Sequence, residues 1–113
     1  MMIEIRPWGE YRILEDSDEC KVKRISVLSG SRLSYQYHHK REEVWVIVKG
    51  SGIVTIDDKI VDVSPGSIVH IRKEQKHRIE NTGKENLEFI EVQLGDYFGE
   101  DDIVRLQDDY NRV

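Results

Sequence analysis

Residues 30–50 read GSRLSYQYHHKREEVWVIVKG, and residues 66–81 read GSIVHIRKEQKHRIEN. In the first stretch Gln36 and His38 alternate as residues on one face of a strand do, and Glu43 follows after a basic turn. The second supplies His77, with strand-like alternation through Ile79 to Asn81. Turned into a barrel interior, a carboxylate, an amide and two imidazoles would each need a partner, because an unpaired buried charge costs several kcal/mol. A divalent metal satisfies all four at once. Period two carries the reading outward: with Glu43 inward, Trp45 and Ile47 are inward too. Val44, Val46 and Val48 then face the other side, open to a second sheet or subunit.

The flanking chain reads in the same short, alternating units. RPWGEY (Arg6–Tyr11) is a turn leading into a short strand at Tyr11, Ile13 and Leu14, with Trp8 covering one end of the core. Cys20–Leu28 is a strand with Lys23, Ile25 and Val27 on one face and Val22, Arg24 and Ser26 on the other. Leu33–His38 and Glu43–Lys49 flank the charged turn His39–Glu42. Ile53–Asp57 and Lys59–Val63 form a tight hairpin about Asp57 and Asp58. Ser67–Ile71, His77–Asn81 and Leu87–Leu94 follow, the last with Phe89, Glu91 and Gln93 on one face. The tail holds one helical turn before Ile103, and its acidic residues are expected on a solvated face. Many short strands and no long amphipathic helix predict an all-β sandwich or closed jelly-roll barrel.

Composition narrows the class of protein. At 113 residues the chain is expected to form one domain over residues 1–113, with a short N-terminal arm and an acidic C-terminal tail. A net charge of −5 argues against a nucleic-acid partner, which a basic stripe normally serves. Cys20 is the only cysteine, which excludes an internal disulfide and suits the cytoplasm. No run approaches the ~20 apolar residues of a membrane span, and the N-terminus lacks a signal-peptide core, so no membrane partner is expected.

The ligand spacing resembles the two cupin motifs. Gly30, Gln36, His38, Glu43 and Gly50 follow the first, with Gln36 where a histidine is usual. Gly66, Arg72, Glu74, His77 and Asn81 follow the second, with Arg72 and Glu74 in place of its proline and glycine. More specifically, the chain resembles the cupin domain of type II mannose-6-phosphate isomerases, which also forms the C-terminal part of bifunctional mannose-1-phosphate guanylyltransferase/isomerases. The shared segments are RPWG (Arg6–Gly9), KVKRI (Lys21–Ile25), LSYQYHH (Leu33–His39), HR (His77–Arg78), IEVQLGDY (Ile90–Tyr97) and GEDDIVR (Gly99–Arg105). Val44 stands where that family commonly has a histidine, and its predicted outward face leaves the metal ligands untouched.

The resemblance implies a double-stranded β-helix and a metal-dependent isomerase interconverting mannose 6-phosphate and fructose 6-phosphate, feeding GDP-mannose and polysaccharide synthesis. The type I isomerases, unrelated in sequence, bind zinc through Gln, His, Glu and His. The same four types here, Gln36, His38, Glu43 and His77, imply zinc, with Mn, Co, Ni or Fe as alternatives. One carboxylate among three neutral ligands leaves about one positive charge to stabilise an anionic intermediate. Arg41, Glu91 and His39 are the candidate catalytic residues. Lys40, Arg41, Arg78 and Arg105 are the candidate phosphate ligands, with Arg72, Lys73 and Lys76 on the same rim. His70 is expected to be structural. Guanylyltransferase activity is not expected, because no Gly-rich nucleotide-binding segment precedes the barrel. A homodimer is expected through the Val-rich face. The competing readings are a non-catalytic cupin that binds or senses a sugar phosphate, and an iron oxygenase using His38, His77 and Glu43.

Overall fold

The computed structural model describes residues 2–112. Its strands are β1 (Ile3–Arg6), β2 (Gly9–Asp16), β3 (Cys20–Val27), β4 (Tyr35–Tyr37), β5 (Arg41–Lys49), β6 (Gly52–Ile56), β7 (Lys59–Val63), β8 (Ile68–Ile71), β9 (His77–Glu80), β10 (Leu87–Gly95) and β11 (Val104–Gln107). They form two sheets, β1-β2-β3-β10-β5-β8 and β11-β4-β9-β6-β7, in which every pair is antiparallel. No α-helix occurs among the described residues; a 3-10 turn spans Glu100–Asp102.

The alternation predicted for the central strands is realised. Glu43, Trp45 and Ile47 are buried on β5, as are Lys23, Ile25 and Val27 on β3 and Leu87, Phe89, Glu91 and Gln93 on β10. β10 lies between β3 and β5, with Phe89 opposite both Ile25 and Ile47, Glu91 opposite Trp45, and Gln93 opposite Glu43. Because the pairing is antiparallel, the apolar half of each inward row meets the apolar half of its neighbour. One end of the barrel is therefore a hydrocarbon core built on Trp45, Ile47, Ile79, Leu87 and Phe89. The other end collects His38, Arg41, Glu43, His77, Glu91 and Gln93.

Two strands depart from expectation. Residues 3–6, read as an arm, form β1 and pair with β2 across the Pro7–Trp8 turn. Residues 104–107 form β11 against β4. Both are edge strands of four residues, too short for alternation to stand out from irregular chain. β4 is also shorter than predicted, Tyr35–Tyr37, with a single further bridge at Arg32–Glu80. Of the tail's acidic residues Glu100, Asp101 and Asp109 are exposed, as expected, but Asp102 is buried and accepts from the backbone N–H groups of His39 and Lys40.

Turn chemistry closes the strands. Asp57 and Asp58 both have positive φ, 47° and 69°, which the two-residue β6–β7 hairpin requires. Gly30, Gly50 and Gly66 also have positive φ, but only Gly50 is tightly surrounded: a Cβ there would lie 2.6 Å from the Asn86 carbonyl oxygen. Gly50→Ala should therefore destabilise the protein by about 2–4 kcal/mol, adding a clash to the left-handed penalty of about 1–2 kcal/mol. Gly30→Ala, which meets open space, should cost only that penalty. Urea unfolding of the two variants measures the difference.

Candidate metal centre

Three strand ends converge at the polar end of the barrel. His38 lies just past β4, Glu43 on β5 and His77 at the start of β9, and all three are buried. One ligand atom from each lies within 4.8 Å of the other two. His38 Nδ1 is 3.8 Å from Glu43 Oε2, His77 Nε2 is 3.9 Å from Glu43 Oε1, and the two imidazoles stack with centroids 5.2 Å apart. Gln36 sits directly opposite His77 in the β4–β9 ladder, and it shares a cleft with Glu43.

The donor set fits a divalent transition metal. His77 Nδ1 lies 2.9 Å from the Gln75 carbonyl oxygen, so Nδ1 carries the proton and Nε2 presents its lone pair. That Nε2 is buried with no hydrogen-bond partner among the described residues. Burial lowers the His38 and His77 pKa values to about 3 and about 4, keeping both rings in the neutral form a metal needs. Two neutral imidazoles, a carboxylate and an amide oxygen suit zinc and its neighbours. Arg41 already engages part of this set: Nε donates to Glu43 Oε2 at 2.9 Å, and Nη2 lies 3.0 Å from His38 Nε2. A cation bound through His38 Nε2 must displace that arginine contact.

Glu91 lies behind the candidate ligands. Trp45 Nε1 donates to both Glu43 Oε1 and Glu91 Oε1, each at 3.1 Å, and Gln93 Nε2 donates to Glu91 Oε2 at 2.9 Å. Burial, reinforced by the Glu43 carboxylate, raises the Glu91 pKa to about 8. Beside this group opens a cleft that is open to solvent at its mouth. Gln36, Arg41, Glu43 and Glu91 line it together with Lys23, Glu100 and the half-buried Arg6, Arg105 and Arg112.

The other predicted residues are dispersed. His39 is exposed, pairs with Glu74 at 3.2 Å and contacts the Tyr37 ring edge-on. Lys40 is exposed over the Tyr97 ring. The 72–76 turn does share a rim with the 38–41 turn, since Glu74 N donates to the His38 carbonyl oxygen, but Arg72 and Lys73 are exposed there and Lys76 pairs with Asp58. Arg78 follows His77 on β9 and so faces the other side, where it donates to the Leu33 and Gln107 carbonyl oxygens. His70 lies on the outer face, paired with Glu42, and Val44 stands opposite it. Arg6, Lys23, Glu100 and Arg112 were not anticipated in the cleft. Lys23 had a signal, a charge in the inward row of β3; Arg6 and Arg112 had none.

Two antiparallel sheets wrapped around inward-facing His, Glu and His side chains define a cupin. The cupin domain of Cnp3 from Schizosaccharomyces pombe superposes with a TM-score of 0.74 at 14% identity, over 77% of this chain and 64% of that one. The chain belongs to the mannose-6-phosphate isomerase C-terminal family, whose model matches residues 2–108. It is 47% identical over 108 residues to the alginate biosynthesis protein AlgA of Pseudomonas aeruginosa, covering 96% of this chain and 22% of that protein. It is 45% identical to the mannose-1-phosphate guanylyltransferase of Escherichia coli K12, over 96% and 23% respectively. The chain thus spans less than a quarter of the length of these curated relatives. No helix among the described residues is long and apolar enough to cross a membrane.

The raised Glu91 pKa has a stability consequence. In the metal-free protein the folded state holds a proton that the unfolded carboxyl releases near 4.5, so the contribution of Glu91 to stability falls as pH climbs from about 4.5 to about 8. The buried His38 and His77 act with the opposite sign, their lowered values making stability rise up to about 6.5. Glu91→Gln removes that titration. Its stability relative to wild type should improve across this window by up to about 1.4 kcal/mol per pH unit, a few kcal/mol in all. Denaturant unfolding at pH 5 and pH 8 measures it; an unchanged difference between the two pH values contradicts the assignment.

Proposed function

We infer that this chain is a metal-dependent aldose–ketose isomerase of the type II class, interconverting mannose 6-phosphate and fructose 6-phosphate in the cytoplasm for GDP-mannose and polysaccharide synthesis. The observation that carries the reading is the buried His38–Glu43–His77 cluster with its orphaned His77 Nε2, inside a chain of the isomerase family. The names of the relatives, an alginate biosynthesis protein and a mannose-1-phosphate guanylyltransferase, support the metabolic setting.

Gln36, His38, Glu43 and His77 would hold the ion, zinc first among the candidates. Bound there, the ion supplies Lewis acidity toward the oxygens on C1 and C2 of the sugar. The rest falls to the chain. Interconversion moves one proton between C2 and C1 and passes through an enediolate, so one base and one source of positive charge are required. Glu91, in its deprotonated fraction, is the base the site offers, a fraction that grows as pH rises toward about 8. It lines the cleft and is held by Trp45 and Gln93, whereas His39 is engaged with Glu74 at the surface. Arg41, buried beside Glu43, supplies the positive charge facing the developing oxyanion. The core around Trp45 and Phe89 excludes water from one wall of the site.

Self-association fits the outer face of the first sheet, where Val44, Val46, Ile68, Ile90 and Val92 lie together outward in register. The rival readings part at turnover: a binding-only cupin would show none, and an oxygenase would consume oxygen.

Metal analysis with a coupled isomerase assay tests the proposal. Wild type should carry about one divalent ion per chain and convert mannose 6-phosphate, with turnover restored to stripped protein by adding metal. His77→Ala should lose the ion and at least about 10²–10³-fold in kcat. Full activity in a metal-free variant would sink the mechanism.

A further inference from the structure

The cleft beside the cluster is more positive than the protein that contains it. The chain carries a net charge of −5, yet five cleft side chains are cationic, Arg6, Lys23, Arg41, Arg105 and Arg112, against three carboxylic ones, Glu43, Glu91 and Glu100. The inner cations are balanced: Lys23 pairs with Glu100 at 3.1 Å, and Arg41 with Glu43 at 2.9 Å. Of the other three, Arg6 pairs with Glu4 at 3.6 Å and Arg112 with Asp108 at 2.7 Å, both carboxylates outside the cleft lining, which leaves Arg105.

Among these, Arg105 is the least satisfied. Its Nε is buried without a hydrogen-bond partner among the described residues, and it forms no ion pair with a described carboxylate. A buried guanidinium donor left unpaired is costly, and an anion is what such a group fits. Burial and then the nearby Arg112 hold the Arg105 pKa below the usual arginine range, and Arg6 acts in the same direction. Asp108 occupies Nε and Nη2 of Arg112 at 2.7 and 2.9 Å, fixing that side chain and leaving Nη1 available. Arg6 is steadied by the Tyr11 hydroxyl at 3.1 Å.

Register supplies the spacing. Arg105 on β11 is paired with Gln36 on β4, which is paired with His77 on β9, so the three form one row across the sheet. Arg105 and His77 are thus two strand spacings apart, about 10 Å along the backbone. Both Arg105 and Gln36 line the cleft.

The geometry points to Arg105, with Arg6 and Arg112, as the subsite for the phosphomonoester end of an open-chain sugar phosphate whose other end lies at His38, Glu43 and His77. This rests on the isomerase reading for the nature of the sugar, but not for the anion. Arginine suits the role because its planar fork can hold phosphate oxygens in pairs. Lys40 and Arg78 take no part in it: one is exposed over Tyr97 and the other faces away from the cleft.

The test titrates inorganic phosphate into the chain by calorimetry, without added metal, for wild type, Arg105→Gln, Arg6→Gln and, as an exposed control outside the cleft, Lys84→Gln. Wild type and Lys84→Gln should bind alike. Arg105→Gln should bind about tenfold to a hundredfold more weakly, and Arg6→Gln more weakly by a smaller factor. In turnover, Arg105→Gln should raise KM for mannose 6-phosphate by about tenfold or more with kcat changed by less than about threefold. Circular dichroism checks the folding of each variant; should Arg105→Gln unfold, Arg6→Gln and Arg112→Lys decide by the same readout. Undiminished phosphate affinity in the folded variants, or no phosphate binding by wild type, overturns the subsite while leaving the isomerase untouched. Arginine-dependent phosphate binding without turnover keeps the subsite and removes the isomerase.

Discussion

A single indole N–H holds the polar end of this barrel together. Trp45 Nε1 reaches Glu43 and Glu91 at the same distance, 3.1 Å, bringing two buried carboxyl groups onto one donor. Two carboxylates so placed cannot both carry full charge cheaply in a low-dielectric interior. One solution is visible in each: Glu43 takes the Arg41 guanidinium, and Glu91 is pushed toward its protonated form. The rest of the Trp45 ring belongs to the opposite world, tilted against Phe89 with centroids 4.8 Å apart and edge-on to His77 at 5.8 Å. This residue therefore stands at the boundary between hydrocarbon core and polar cluster, and it ties the position of one to the packing of the other.

The C-terminal segment completes what the central strands leave open. Asp102 accepts from two backbone N–H groups of the His39–Lys40 turn, which fixes the approach of His38 to the cluster. Glu100 reaches both Lys23 and Arg41, so the tail's carboxylates neutralise cations drawn from two different strands of the first sheet. Arg32 clasps Asp109 through two donors, and Arg78 caps the Leu33 and Gln107 carbonyl oxygens. Charges that resemble a solvated tail in linear order are instead the fastenings that seat β11 against β4 and bring Arg105 and Arg112 to the cleft.

Much of this was legible before any coordinates. Period-two alternation in Glu43–Lys49 and Leu87–Leu94 assigned inward and outward residues correctly, because burial on one face of a strand leaves no freedom of register. The spacing singled out Gln36, His38, Glu43 and His77 as candidate ligands; the structure gathers His38, Glu43 and His77 and sets Gln36 directly opposite His77. The two-residue turn at Asp57 and Asp58 was equally plain, since few residues tolerate consecutive positive φ.

The linear order determined the sheet faces, the hairpin and the candidate ligands, all of which depend on neighbours in sequence and on the fixed geometry of a strand. Only the tertiary structure decided which cations meet. Arg6 and Arg105 are 99 positions apart on edge strands of different sheets, and Arg78 lies one residue from His77 yet on the opposite face. Long-range pairing and the hand of each side chain are consequences of the closed barrel, in which strands remote along the chain become walls of one cleft.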